Sequence, residues 1–134
     1  MRYLTLTLSL ILGLATSVSA EYEKVMISAE ADYYVDFSSA KASDKFGYAW
    51  VLFDLFEPNS NGDLSMELYI KINCTAPDKE DGVVSTLKLI TYKRSMAKGK
   101  STEFTFKEDK WSTLPFGSPL GSAYYSICEK HFIN

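Results

Sequence analysis

The chain has 134 residues, of which 46% are hydrophobic, 14% aromatic and 23% charged. That is enough for one domain and too apolar for intrinsic disorder. With 14 lysines and arginines against 17 acids, the net charge of -3 has the wrong sign for a general nucleic-acid binder, and a single histidine removes most His-based catalysis and every multi-His metal site.

Residues 1–20 read as a secretory signal peptide. Arg2 supplies the positive start, and residues 4–14 are apolar apart from Thr5, Thr7, Ser9 and Gly13. Val18-Ser19-Ala20 places small side chains at a cleavage site after Ala20. The stretch is shorter than the roughly 20 apolar residues of a bilayer span. No cysteine stands near residue 20, so no lipid anchor is expected, and no later segment is apolar enough to cross a membrane. The expected mature chain is residues 21–134, periplasmic or secreted.

Export gives the two cysteines a meaning. In an oxidising compartment, Cys74 and Cys128 are expected to form a disulfide rather than remain buried thiols. Such a bridge closes a loop of about 55 residues, worth roughly 4 kcal/mol on the chain-entropy estimate. Without a Cys-x-x-Cys or a second histidine, redox and zinc chemistry are not expected.

Turn signals divide the mature chain into β-like runs. Residues 22–28 and 33–37 are short strands, and the small polar residues 38–45 read as a turn or one helical turn. Residues 46–57 form a strand apolar on both faces: Phe46, Tyr48, Trp50, Leu52 and Phe56 on one, Gly47, Ala49, Val51, Phe53 and Leu55 on the other. A turn at 58–63 contains Asn61-Gly62. Residues 64–73 then alternate, with Leu64, Met66, Leu68, Ile70 and Ile72 on the apolar side and Cys74 continuing that parity. Residues 75–82 are polar and read as a mobile loop. Residues 83–92 and 100–107 are expected to pair as a hairpin.

The period changes at the C-terminus. Ser118 can cap a helix and Pro119 suits its first position. Leu120, Ala123, Tyr124, Ile127, Cys128 and His131 fall within an arc of about 140° at helical spacing. Gly121 and β-branched Ile127 weaken the intrinsic propensity, so tertiary packing must hold this helix. The inward parities of Cys74 and Cys128 agree on one arrangement. The expected fold is α+β: a single antiparallel sheet of five or six strands, with one C-terminal helix packed on it and disulfide-linked to a strand.

The order of features carries a resemblance. Tyr33-Tyr34-Val35-Asp36 comes early, followed by a strand centred on Trp50-Val51-Leu52 and a strand ending in Cys74. A further strand runs into Tyr92 and a basic turn containing Gly99. Trp111 then precedes Pro115-Phe116-Gly117-Ser118 and a helix that carries Cys128. This series resembles the bacterial surface-adhesin protein E family over residues 22–128. The resemblance implies a sheet with a disulfide-linked C-terminal helix, and an adhesin that binds host matrix and serum proteins and is linked to haem. Members of that kind are lipid-anchored, whereas this sequence shows no lipobox cysteine, so the fold transfers more readily than the adhesive role. The expected function is that of an exported, non-enzymatic binding protein with a protein partner and no cofactor. The alternatives are a periplasmic inhibitor or assembly factor, or a small exported hydrolase working with paired carboxylates.

Four cations crowd the hairpin end: Lys93, Arg94, Lys98 and Lys100, with Lys107 and Lys110 further on. They are expected to be mobile and exposed and to steer an acidic partner. The competing reading is a solvated hairpin end that discourages edge pairing. Residues 57–63 resemble the start of a calcium loop, but Glu67 falls one residue short of the bidentate position and the flanks have period two, so a hairpin turn is expected. His131 could ligate haem iron, but is expected to be a packed terminal histidine at the helix C-terminus. Asn73-Cys74-Thr75 matches a glycosylation acceptor that is not expected to be used. The aromatic face of Phe46, Tyr48, Trp50, Leu52 and Phe56 is expected to be the core face under the helix. If the helix instead covers the parity of residues 64–74, these aromatics form a protein-binding or dimer surface.

Overall fold

The structure, a computed structural model, describes residues 20–43, 45–75, 84–113 and 119–132, the side chains of 125 and 129–132 excepted. Six strands form one antiparallel meander: β1 (Tyr22–Ile27), β2 (Ala31–Ser43), β3 (Phe46–Leu55), β4 (Ser65–Asn73), β5 (Val84–Arg94) and β6 (Lys98–Thr105). Each strand pairs with its neighbour in sequence, so β1 and β6 are the two edges. One helix follows, α1 (Pro119–Phe132), and Pro119 is its first residue.

β2 is longer than its sequence suggests. Residues 38–43 continue the strand instead of turning, and the buried Asp36 carboxylate accepts hydrogen bonds from the Ser38 and Ser39 amides at 3.0 and 3.3 Å. The Ser39 hydroxyl in turn accepts from the Trp50 amide on β3 at 3.1 Å. The small polar residues therefore build an irregularity between Asp36 and Lys41, and the pairing to β3 resumes beyond it.

The helix decides which face is the core. Leu120, Ala123, Tyr124, Ile127 and Cys128 are all buried, as their helical spacing requires, and they pack with Val35, Ala49, Val51, Ile70 and Ile72. Gly47 pairs with Ile72 in the β3–β4 register, so the face under α1 carries the small residues of β3. The expectation that Phe46, Tyr48, Trp50 and Leu52 lie under the helix is therefore overturned. They point to the opposite side of the sheet, and Phe56 lies past the end of β3 and is exposed. A helix held close to the sheet fits over Gly47 and Ala49, not over a layer of rings.

Cys74, just beyond β4, is bridged to Cys128 with 5.5 Å between their Cα atoms. The Cys74 amide also donates to the Lys45 carbonyl at 3.0 Å, fixing the chain where it leaves the sheet. Residues 56–64 form the β3–β4 turn, with Gly62 at φ 78° and the Asn59 carboxamide accepting from the Asn61 and Asp63 amides, both at 3.0 Å. Most of the loop at 75–82 lies outside the described residues, as do Ser118 and the His131 side chain.

Candidate functional site

The four predicted cations come together at one end of the β5–β6 hairpin, all exposed. Arg94 and Lys98 are cross-strand partners. Lys93 differs from the other three: its ammonium group forms an ion pair with the buried Asp63 at 2.9 Å and donates to the Asn61 carbonyl at 2.7 Å. Its charge is thereby spent on the β3–β4 turn. Among the described residues, Arg94, Lys98 and Lys100 have no acidic partner.

The backbone of the hairpin end is tied to the neighbouring strands. The Asp54 carboxylate accepts from the Met96 amide at 2.8 Å and from the Ser95 hydroxyl at 2.7 Å. The buried Ser65 hydroxyl donates to the Arg94 carbonyl at 2.6 Å and accepts from the Ala97 amide at 2.9 Å. These ties hold Met96 and Ala97 in the left-handed region, each at φ 57°. The cations are thus displayed on a turn of fixed shape.

The second surface is the sheet face away from the helix. Tyr69 on β4 stacks with Tyr48 at 6.2 Å and tilts against Trp50 at 5.2 Å between ring centroids. Trp111 stacks on Phe46 at 6.0 Å. The Lys71 ammonium lies 4.3 Å from the Phe46 ring centre and 2.9 Å from Asp109. That hydrogen bond from Lys71 holds the Asp109 carboxyl below the usual carboxylate range. Further along, the Tyr22 and Tyr92 hydroxyls both donate to Glu67. Burial first, and then the bond to Glu67, push both phenols well above the ordinary tyrosine range. Leu52, on the same face, is buried although it faces away from the helix.

One feature was not singled out from the sequence: every residue of β6 is exposed. Phe104 and Phe106 are 48% and 44% exposed. The alternation of Thr102, Phe104 and Phe106 with Ser101, Glu103 and Thr105 was the available signal. Among the described residues, no three His, Cys, Asp or Glu side chains gather as a metal site, and no helix is long and apolar enough to cross a membrane.

An antiparallel sheet with a disulfide-linked C-terminal helix is the arrangement the resemblance implied, and comparison with known proteins agrees. The family model described as surface-adhesin protein E matches residues 22–129. The chain belongs to the surface-adhesin protein E family. Two solved structures of Haemophilus influenzae protein E share its fold. Crystal form II aligns with a TM-score of 0.54 and 17% identity, over 90% of this chain and 96% of the other. The second aligns with a TM-score of 0.52 and 16% identity, over 87% and 89%. At this identity the likeness establishes the fold alone. No curated protein sequence matches the chain. Membership of the surface-adhesin protein E family makes this an adhesin-like surface or exported protein, and gives the exposed hairpin end and ring layer their context.

Proposed function

We propose that this chain is an exported, non-enzymatic binding protein that engages a host matrix or serum protein through the basic end of the β5–β6 hairpin. The observation that carries this reading is the set of exposed cations without an acidic partner, Arg94, Lys98 and Lys100, held on a pinned turn in a chain of net charge -3. An acidic surface carrying one fixed basic point attracts a partner's acidic patch in a defined orientation. Such contacts act mainly on association rate and are screened over about 8 Å at physiological salt. Export follows from the leader read in residues 1–20, with cleavage after Ala20. The intact mass of protein recovered from its native compartment tests that cleavage.

Binding is tested on a panel of immobilised host matrix and serum proteins, at low and high salt. The mature protein is compared with a variant carrying Lys93, Arg94, Lys98 and Lys100 all changed to Ser. The expected result is capture that weakens with salt and is lost in the variant. Equal capture by both proteins, with the same salt dependence, would remove the hairpin end from the binding surface. Capture of a periplasmic protein and of nothing on the panel would point to the inhibitor or assembly-factor role.

A further inference from the structure

We propose that the free edge of β6 receives an extended, acidic segment of a partner protein as a seventh strand. This deepens the reading of the hairpin end as a protein-binding site and rests on it. β6 closes the sheet order, all eight of its residues are exposed, and among the described residues no strand pairs with its outer edge.

The backbone directions follow from one hydrogen bond. The Phe106 amide donates to the Leu87 carbonyl at 3.0 Å. In an antiparallel ladder, alternate residues turn both polar groups toward the same neighbour. Phe104 and Thr102, opposite Leu89 and Thr91, therefore bond inward to β5. Ser101, Glu103 and Thr105 turn their N–H and C=O groups outward, a row to which an incoming strand can bond.

The side chains add selectivity. Thr102, Phe104 and Phe106 join Met66, Leu89 and Thr91 along an open trough of about 570 Å³ beside the edge. Alternate apolar side chains of an added strand would cover the exposed phenylalanine rings there. The charge of the edge is one-sided. Glu103 is paired with Lys88 at 2.6 Å, whereas Lys98, Lys100 and Lys107 have no acidic partner among the described residues. These lysines oppose edge-to-edge pairing of two copies, which would bring like charges together, and favour an acidic strand. The same residues that block self-association thus select the partner. At the opposite edge, β1 lies against α1 and has an irregular register between Lys24 and Met26.

The test uses the disulfide-bonded mature protein, labelled with 15N, and a capped ten-residue peptide of alternating valine and glutamate. At saturating peptide, hydrogen exchange at the amides of Ser101, Glu103 and Thr105 should slow at least about tenfold, while those of Thr102 and Phe104, already bonded to β5, change little. Two further peptides, N-methylated at one parity or the other, leave the protein untouched. One should lose at least about tenfold in affinity and the other should retain it. Changing Lys98, Lys100 and Lys107 to Ser should weaken the parent peptide about tenfold at low salt.

Unchanged exchange at the three outward amides, or equal binding of both methylated peptides, would overturn strand addition. The same holds if a sulfated oligosaccharide of equal charge reproduces the peptide's spectral changes, since the edge would then be a polyanion patch. Capture of a panel protein together with a failed peptide test would leave the hairpin end as a charge contact only. Strand addition without panel capture would instead put the host partner in error.

Discussion

The Tyr22 hydroxyl, carried by the first strand, donates to the Glu67 carboxylate on the fourth. The contact crosses β2 and β3 on the face away from the helix, and Tyr92 reaches the same carboxylate from β5. One acid thus joins three strands beside Leu52, which is only 1% exposed. Changing Glu67 to Ala leaves two partly buried phenols without their acceptor and opens the layer next to Leu52. The expected loss is about 1–3 kcal/mol, the cost of unsatisfied buried polar groups. Urea unfolding checks it. A variant as stable as the parent would show that water satisfies both hydroxyls.

High pH should unfold the protein. The phenols of Tyr22, Tyr92 and Tyr124 are all pushed above the ordinary range, primarily by burial, and Tyr124 lies on the buried face of the helix. A raised folded-state pKa means that the folded state holds the proton more tightly than the unfolded state. The associated stability is complete below about pH 10, the unfolded value, and is lost as pH rises toward the folded values. Absorbance at 295 nm should show the exposed tyrosines titrating first, with a second rise that coincides with loss of the near-ultraviolet dichroism. A single smooth titration with the fold intact would contradict the burial of these rings.

The bridge should decide whether the helix stays docked. Gly121 and Ile127 lower the intrinsic helix propensity of α1, so its contacts and the Cys74–Cys128 bond must hold it in place. Changing both cysteines to Ser is expected to cost roughly 2–5 kcal/mol. Loss of far-ultraviolet helix signal and normal titration of the Tyr124 phenol should accompany it. If helix content and stability both survive, the packing of Leu120, Tyr124 and Ile127 suffices alone.

Much of this architecture is legible in the sequence, and its failures have definite causes. The parity of Ile70, Ile72 and Cys74 and the helical spacing of Leu120, Tyr124, Ile127 and Cys128 are local patterns, so the bridge and the helix could be read from them. β3 is apolar on both faces, so its own alternation cannot say which face the helix covers. That depends on register: Gly47 stands opposite Ile72, and a slip of one residue would bring Phe46 there instead. Residues 38–43 look like a turn because serines favour turns, and the Asp36 carboxylate does bond the Ser38 and Ser39 amides locally and interrupts the ladder; the pairing that resumes with β3 at Lys41 is a long-range feature that local composition does not carry. The hairpin cations could be located from sequence, but not the pairing of Lys93 with Asp63, which joins positions 30 residues apart across two turns.

Gly47 is a point of close approach between helix and sheet. A Cβ there would stand 3.3 Å from the Ile127 Cγ2 and 3.5 Å from the Cys74 sulfur. Ile127 can retreat little, because the next residue is bonded to Cys74. Changing Gly47 to Val should therefore cost about 1–3 kcal/mol through overpacking, although a strand otherwise favours valine over glycine. The midpoint of urea unfolding, with the bridge intact, measures it. A stabilised variant would mean that the helix can shift outward without penalty.

The hairpin end carries backbone strain that Asp54 helps to hold. Met96 and Ala97 both adopt a left-handed conformation, which costs an ordinary residue roughly 1–2 kcal/mol. Asp54 bonds to the Met96 amide and the Ser95 hydroxyl, and Ser65 to the Ala97 amide, so the turn is determined from two neighbouring strands. Changing Asp54 to Ala removes one of these holds. Because the site is exposed, the expected loss of stability is modest, about 1 kcal/mol. The local effect should be larger: exchange at the Met96 amide should quicken by an order of magnitude or more, as its acceptor is gone. Changing Ala97 to Gly relieves the strain from the other side and should recover about 0.5 kcal/mol. Binding should separate the two variants. If the cations work because the turn fixes their positions, Asp54→Ala should weaken panel capture while leaving every cation present, and Ala97→Gly in the parent should not. Equal capture by parent and Asp54→Ala proteins would show that charge alone, without a fixed turn, brings the partner in.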